Sequence, residues 1–119
     1  MTPGDVRGVA RVLSARYELM TPVWRRYLAL EDRFEDVAGV IGQARQGHIT
    51  WLEQAFAPLL PRAPGPLRAR RVAALFAATE IYVWWSWRAK LGLDAKQAER
   101  TMTELLEALV KSWRTAPQR

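Results

Sequence analysis

The chain contains no cysteine. Disulfide stapling, thiolate nucleophiles and cysteine-based metal sites are excluded together, and the absence fits a reducing, cytoplasmic setting. Histidine is nearly absent too, with His48 alone in 119 residues. No Glu or His lies one helical turn from it to complete a metal pair, so the expectation is a hydrogen-bonded core or pocket histidine. Serine occurs only as Ser14, Ser86 and Ser112, none of them in the glycine-flanked elbow that a nucleophilic serine needs. Glycine-rich phosphate loops are missing. The one acidic cluster, Glu31, Asp32, Glu35 and Asp36, sits at a helix junction, where acids favour the following helix N-terminus. The sequence therefore predicts no enzyme, no metal and no cofactor. Long apolar runs are missing as well: the best stretch, Val72 to Trp87, is interrupted by Glu80 and falls short of the roughly 18 apolar residues of a span, so no membrane partner is expected. The first residues, Met1 to Asp5, lack the basic start and apolar run of a secretory signal.

What is present is half hydrophobic and a quarter charged, enough for one core and one domain over residues 1–119. The net charge of +6 comes from 18 Lys and Arg against 12 Asp and Glu. Its densest group is Arg62, Arg68, Arg70 and Arg71 around one loop. Most other segments mix signs, as a solvated surface does, so a phosphate-binding patch is the less favoured reading.

Periodicity predicts five helices and no strand, an all-α domain. Thr2-Pro3-Gly4-Asp5 carries cap, proline and acid at a helix start. Val6, Val9, Ala10, Leu13, Tyr17 and Met20 then step by three and four along one face of a helix over about 5–20. Thr21-Pro22 repeats the cap-and-proline signal, which predicts a break and a second helix over 22–32. Val37, Val40, Ile41, Ala44, His48, Trp51, Leu52, Ala55 and Leu59 predict a long helix over 34–57. Gly39, Gly42 and Gly47 inside it suggest a bend or a close helix contact. Its apolar stepping passes through Gly47 without a phase break, which argues against a helix-turn-helix over Val37 to Phe56 and against direct DNA reading. Prolines 58, 61, 64 and 66 make 58–66 a loop. A fourth helix is expected over 67–90, stopped by Gly92, and a fifth over 95–113, opened by Asp94 as cap with Gln97 three residues on.

The fourth helix stands out. At 100° per residue, Val72, Leu75, Phe76, Thr79 and Val83 fall on one side and Ala74, Ala77, Ala78, Ile81, Trp84 and Trp85 on the other. A helix apolar on both sides is covered on both sides. The expectation is a homodimer in which Ala74, Ala78, Ile81, Trp84 and Trp85, with Leu106 and Val110 of the last helix, meet a second copy. The six tryptophans, three tyrosines and three phenylalanines either line a cavity for a small hydrophobic or aromatic effector or fill the core and the dimer face. Tyr17, Trp24, Tyr27, His48, Trp51 and Tyr82 are the candidate ligand-binding residues, because each carries a polar handle.

The run Thr79-Glu80-Ile81-Tyr82-Val83-Trp84-Trp85-Ser86-Trp87-Arg88-Ala89-Lys90-Leu91-Gly92-Leu93-Asp94 resembles a stretch of the C-terminal domain of TetR-type transcriptional regulators. Ala15-Arg16-Tyr17-Glu18, the Leu28 to Arg33 run, and Ala44-Arg45 with His48 and Trp51-Leu52 resemble the same domain in the same order. Trp85, Ser86 and Trp87 depart from it, standing where a basic residue and two leucines are more usual. The resemblance spans about Asp5 to Val110. It implies an orthogonal and antiparallel bundle with an effector pocket among the first four helices, whose last two helices form a dimeric four-helix bundle. It also implies that DNA is contacted only through an N-terminal helix-turn-helix headpiece that nothing in these residues matches. The alternative is a structural helical homodimerisation or protein-interaction module with no small-molecule site.

Overall fold

The computed structural model describes residues 2–115, and all regular structure among them is helical. Helix α1 spans Val6–Leu30, α2 Glu35–Ala55 and α3 Pro66–Thr79. A short α4, Ile81–Trp85, runs into a π-helical turn over Ser86–Lys90, and α5 spans Ala95–Thr115. The all-α expectation holds at that level, but two of the expected boundaries do not.

The predicted break at Thr21-Pro22 is absent, and the helices expected over 5–20 and 22–32 are one 25-residue helix. Pro22 sits inside it, exposed, where the ring removes the bond to the Glu18 carbonyl. The Thr21 hydroxyl donates back to the Tyr17 carbonyl, a local bond that often accompanies a helix bend. The cap of α1 is also three residues later than expected: the Asp5 carboxylate, not Thr2, accepts from the Gly8 amide at 3.0 Å. Just before it, Gly4 takes φ +86°, and its amide donates to the Ala55 carbonyl at 2.6 Å, tying the start of α1 to the end of α2.

The second correction is at Glu80. The single helix expected over 67–90 is interrupted there by one extended residue, φ −76° and ψ 153°, between α3 and α4. Counting 100° per residue is valid only along a continuous helix, so every face assigned beyond Thr79 is rotated. The π turn closes with the Leu91 amide on the Ser86 carbonyl at 3.0 Å, and the Leu93 amide reaches the Trp87 carbonyl at 3.0 Å. Gly92 makes that exit possible with φ +73°. Helix α5 opens as its sequence predicts: the Asp94 carboxylate accepts from the Gln97 amide at 2.8 Å and the Gln97 side chain returns to the Asp94 amide at 2.9 Å.

One core joins these elements. Val9, Ala10, Leu13 and Tyr17 of α1 meet Leu52 and Ala55 of α2, Leu75 and Ala78 of α3, Trp84 of α4, and Ala98, Met102, Leu106 and Val110 of α5. The α5 residues recur every four positions, one ridge along the helix, and α1 packs more extensively on α5 than on any other element. Fully burying one of the larger side chains stabilises by about 1.5–3 kcal/mol. Only the first half of α1 enters this core. Its second half overhangs, and the start of α2 runs antiparallel beneath it. The expected bend or close contact at Gly39, Gly42 and Gly47 is not found: α2 is continuous, and a Cβ at any of the three would meet nothing.

Candidate functional site

The overhang encloses a partly open cavity of about 190 Å³ between α1, α2 and the α3–α4 junction. Tyr17, Met20, Trp24 and Leu28 recur on α1 at steps of three and four, so they share the face turned towards α2. Ile41, Ala44, Arg45 and His48 repeat the pattern on α2. Phe76, Glu80, Ile81 and Tyr82 close the third wall, and Arg16 stands at the rim. A neighbouring cavity of about 240 Å³ shares Trp24, Leu28, Ile81 and Tyr82 and continues to Thr21, Arg25 and Trp85.

At the head of the cavity two polar side chains, Tyr17 and His48, converge on Thr79. The Tyr17 hydroxyl donates to the Thr79 carbonyl at 2.7 Å, which serves a group that the end of α3 leaves without a helical partner. The Thr79 hydroxyl donates to the Leu75 carbonyl at 2.6 Å. A hydroxyl has one proton to give, so its contact with His48 Nε2 at 2.9 Å requires the imidazole to be the donor. His48 is thereby held as the Nε2–H tautomer with a bare lone pair on Nδ1. Burial, followed by the field of Arg16, pushes its pKa down to about 4, so the ring is neutral at physiological pH. Burial drives the Tyr17 phenol far above its ordinary range, against the opposing pull of Arg16. Burial also raises the Glu80 carboxyl, opposed by Arg45.

A second polar cluster lies outside the cavity lining and ties α1 to α4. Glu18 accepts from the Trp84 indole at 2.7 Å and from Arg88 at 2.9 and 3.1 Å, and Arg88 also reaches the Leu93 carbonyl at 2.9 Å. The Arg88 hydrogen bonds hold the Glu18 carboxyl below the usual carboxylate range. One carboxylate on α1 thus anchors α4, the π turn and the approach to α5.

Of the ligand-binding residues expected from sequence, Tyr17, Trp24, His48 and Tyr82 line the cavity. Trp51 is behind it, stacked on His48 at 6.2 Å between ring centroids, and Tyr27 leans outward on Trp24 at 5.9 Å. The other lining residues, Met20 and Leu28 of α1 and the charged Arg16, Arg45 and Glu80 among them, were not expected there. The signal for Met20 and Leu28 was present: they continue the Leu13-Tyr17-Met20-Trp24 stripe, which is visible once α1 is allowed to run through Pro22.

The expected dimer residues fare differently. Ala78, Trp84, Leu106 and Val110 lie in the chain's own core, with Trp84 and Leu106 at 0% exposure. They have almost no surface to offer a partner, and the extended residue at Glu80 is why counting 100° per residue from α3 does not give the face of Trp84. Ala74, Ile81 and Trp85 are half-buried, and Ile81 packs against the core cluster. Of the basic group around the proline loop, Arg68 donates to Glu53 and to the Pro61 carbonyl, both at 2.7 Å, and Arg71 donates to the Leu59 carbonyl at 2.7 Å. Those two cations fasten the loop to α3. Comparison with protein-family models, curated proteins and solved structures finds no match. Among the described residues no helix is long and apolar enough to cross a membrane.

Proposed function

We propose that this chain is a small-molecule-sensing and dimerisation domain, of the kind that effector-responsive TetR-type regulators carry. The observation that carries the reading is the cavity itself: an aromatic and aliphatic hollow with Tyr17, His48 and Glu80 placed at a helix break. Binding sites of small molecules are mostly apolar with a few fixed polar groups. The Thr79–Glu80 junction is, in this reading, the element a ligand acts on, since a ligand that prefers one arrangement of α3 and α4 shifts the population towards it. In this reading the shift reaches DNA through a helix-turn-helix headpiece outside these 119 residues. Thermal unfolding in the presence of single-ring apolar compounds tests the site. A ligand at ten times its Kd stabilises by about 1.4 kcal/mol, a rise of roughly 5 °C for a domain of this size. No rise with any compound of a chemically diverse set contradicts it.

The dimer half of the reading rests on α1. Val12, Leu19, Val23 and Leu30 are exposed, Leu19 at 83%, and their steps of seven, four and seven put them on one line of the helix, as in a coiled-coil seam. This stripe replaces the buried face expected from sequence as the contact between two copies. It is also the observation that favours the second reading, a helical homodimerisation module without an effector.

A further inference from the structure

We propose that the ligand of the cavity is a small organic anion, a single aromatic or aliphatic ring carrying a carboxylate. The inference rests on the reading of the cavity as a ligand site and names the chemistry it selects. Size sets the first limit: a cavity of roughly 150 Å³ accepts benzene, so about 190 Å³ takes one ring with a short substituent. The walls supply the apolar half, with Trp24, Ile41 and Phe76 against the ring.

The charges supply the rest. Two guanidiniums, Arg16 and Arg45, and one carboxylate, Glu80, line the cavity, while His48 is neutral and its Nε2 proton is committed to Thr79. Arg45 already has an acid, Glu31, at 3.4 Å. Arg16 has no carboxylate within ion-pair distance among the described residues, and its guanidinium lies 5.9 Å from the Trp51 ring centroid. In the adjoining cavity the only charged lining residue is Arg25. The Trp85 indole Nε1 beside it is buried without a hydrogen-bond acceptor. Arg16, a cation without an acid on the edge of an apolar hollow, calls for an acceptor-bearing anion, since burying a second cation there leaves like charges facing each other. Glu80 is the one opposing group, so it weakens an anion that Arg16 attracts.

Three probes of matched shape test this on the full chain at pH 7: phenylacetate, phenylacetamide and 2-phenylethylamine, titrated by calorimetry. The acid is expected to bind about fivefold tighter than the amide, the scale of an exposed ion pair, and the amine weakest. Arg16→Gln should remove that preference without weakening the amide, and Glu80→Gln should enlarge it. Arg100→Gln, an exposed arginine on α5 far from the cavity, should leave the preference intact. Equal binding of acid and amide, or an equal loss of both in Arg16→Gln, overturns the anion inference while leaving the ligand site standing. Failure of all three probes to bind overturns both.

Discussion

Thr79 carries two helix-end obligations at once, its own carbonyl and its hydroxyl, and Tyr17 and His48 answer them from separate helices. Both partners were legible in the sequence as polar-handled residues on apolar faces; Thr79 itself was not, because its role follows from a helix break that periodicity does not show. The depressed pKa of His48 has a signed consequence. The unfolded chain takes up a proton near the ordinary value of 6.5 and the folded chain only near 4, so stability is full above 6.5 and falls as pH drops towards 4. The whole window corresponds to about 3 kcal/mol at 1.36 kcal/mol per unit. Denaturant unfolding between pH 7 and 4 should show the loss, and His48→Gln should flatten it; an unchanged slope contradicts the neutral buried ring. Glu18 works in the same direction through a group of the other charge. Its carboxyl is held low, so its contribution is present above the ordinary carboxylate range and lost on acidification. Glu18→Ala leaves the fully buried Trp84 indole without an acceptor and should cost about 1–3 kcal/mol in the same assay at pH 7.

At the scale of elements, what three-and-four stepping can see was visible: α2, the core stripe of α5, and the Asp94–Gln97 cap. Two punctuation marks misled. Pro22 normally stops or kinks a helix, yet here the apolar face of α1 is continuous from Leu13 through Tyr17 to Trp24 and Leu28, and packing outweighs the lost bond. Glu80 is an ordinary residue in a strongly helical stretch, and the break there is set by tertiary contacts of Thr79 and Trp84 that no local signal announces. Pro22→Ala should therefore stabilise the domain, by about 1–3 kcal/mol if the full cost of an interior proline is recovered. A lowered melting temperature would mean that the proline shapes α1 for packing. Alanine at Gly39, Gly42 or Gly47, where a Cβ meets open space, should each add up to about 1 kcal/mol. A loss at any of them would place a neighbour against α2 that the single chain does not contain.

Seen as a whole, the molecule has extents of 43 × 32 × 23 Å, with its core towards one end of the α1–α2 hairpin and its cavity towards the other. The apolar surface of the 67–90 stretch is divided along the same line: Trp84 is in the core, while Ile81 and Tyr82 line the cavity. The surface left for a second copy is the α1 stripe. Sedimentation at micromolar concentration should give a dimer, and Leu19→Asp, at an 83% exposed position, should give a folded monomer. A wild-type monomer would remove the dimer from the account. The most direct test of the central claim is where a ligand lands. Nuclear magnetic resonance spectra recorded while an apolar single-ring carboxylate is titrated in should shift the His48 imidazole and the Trp24 indole together, with Tyr17 and Tyr82, and leave the far face of α5 unmoved. Shifts confined to α5 or the proline loop, with His48 and Trp24 silent, would contradict a ligand site at the Thr79 junction.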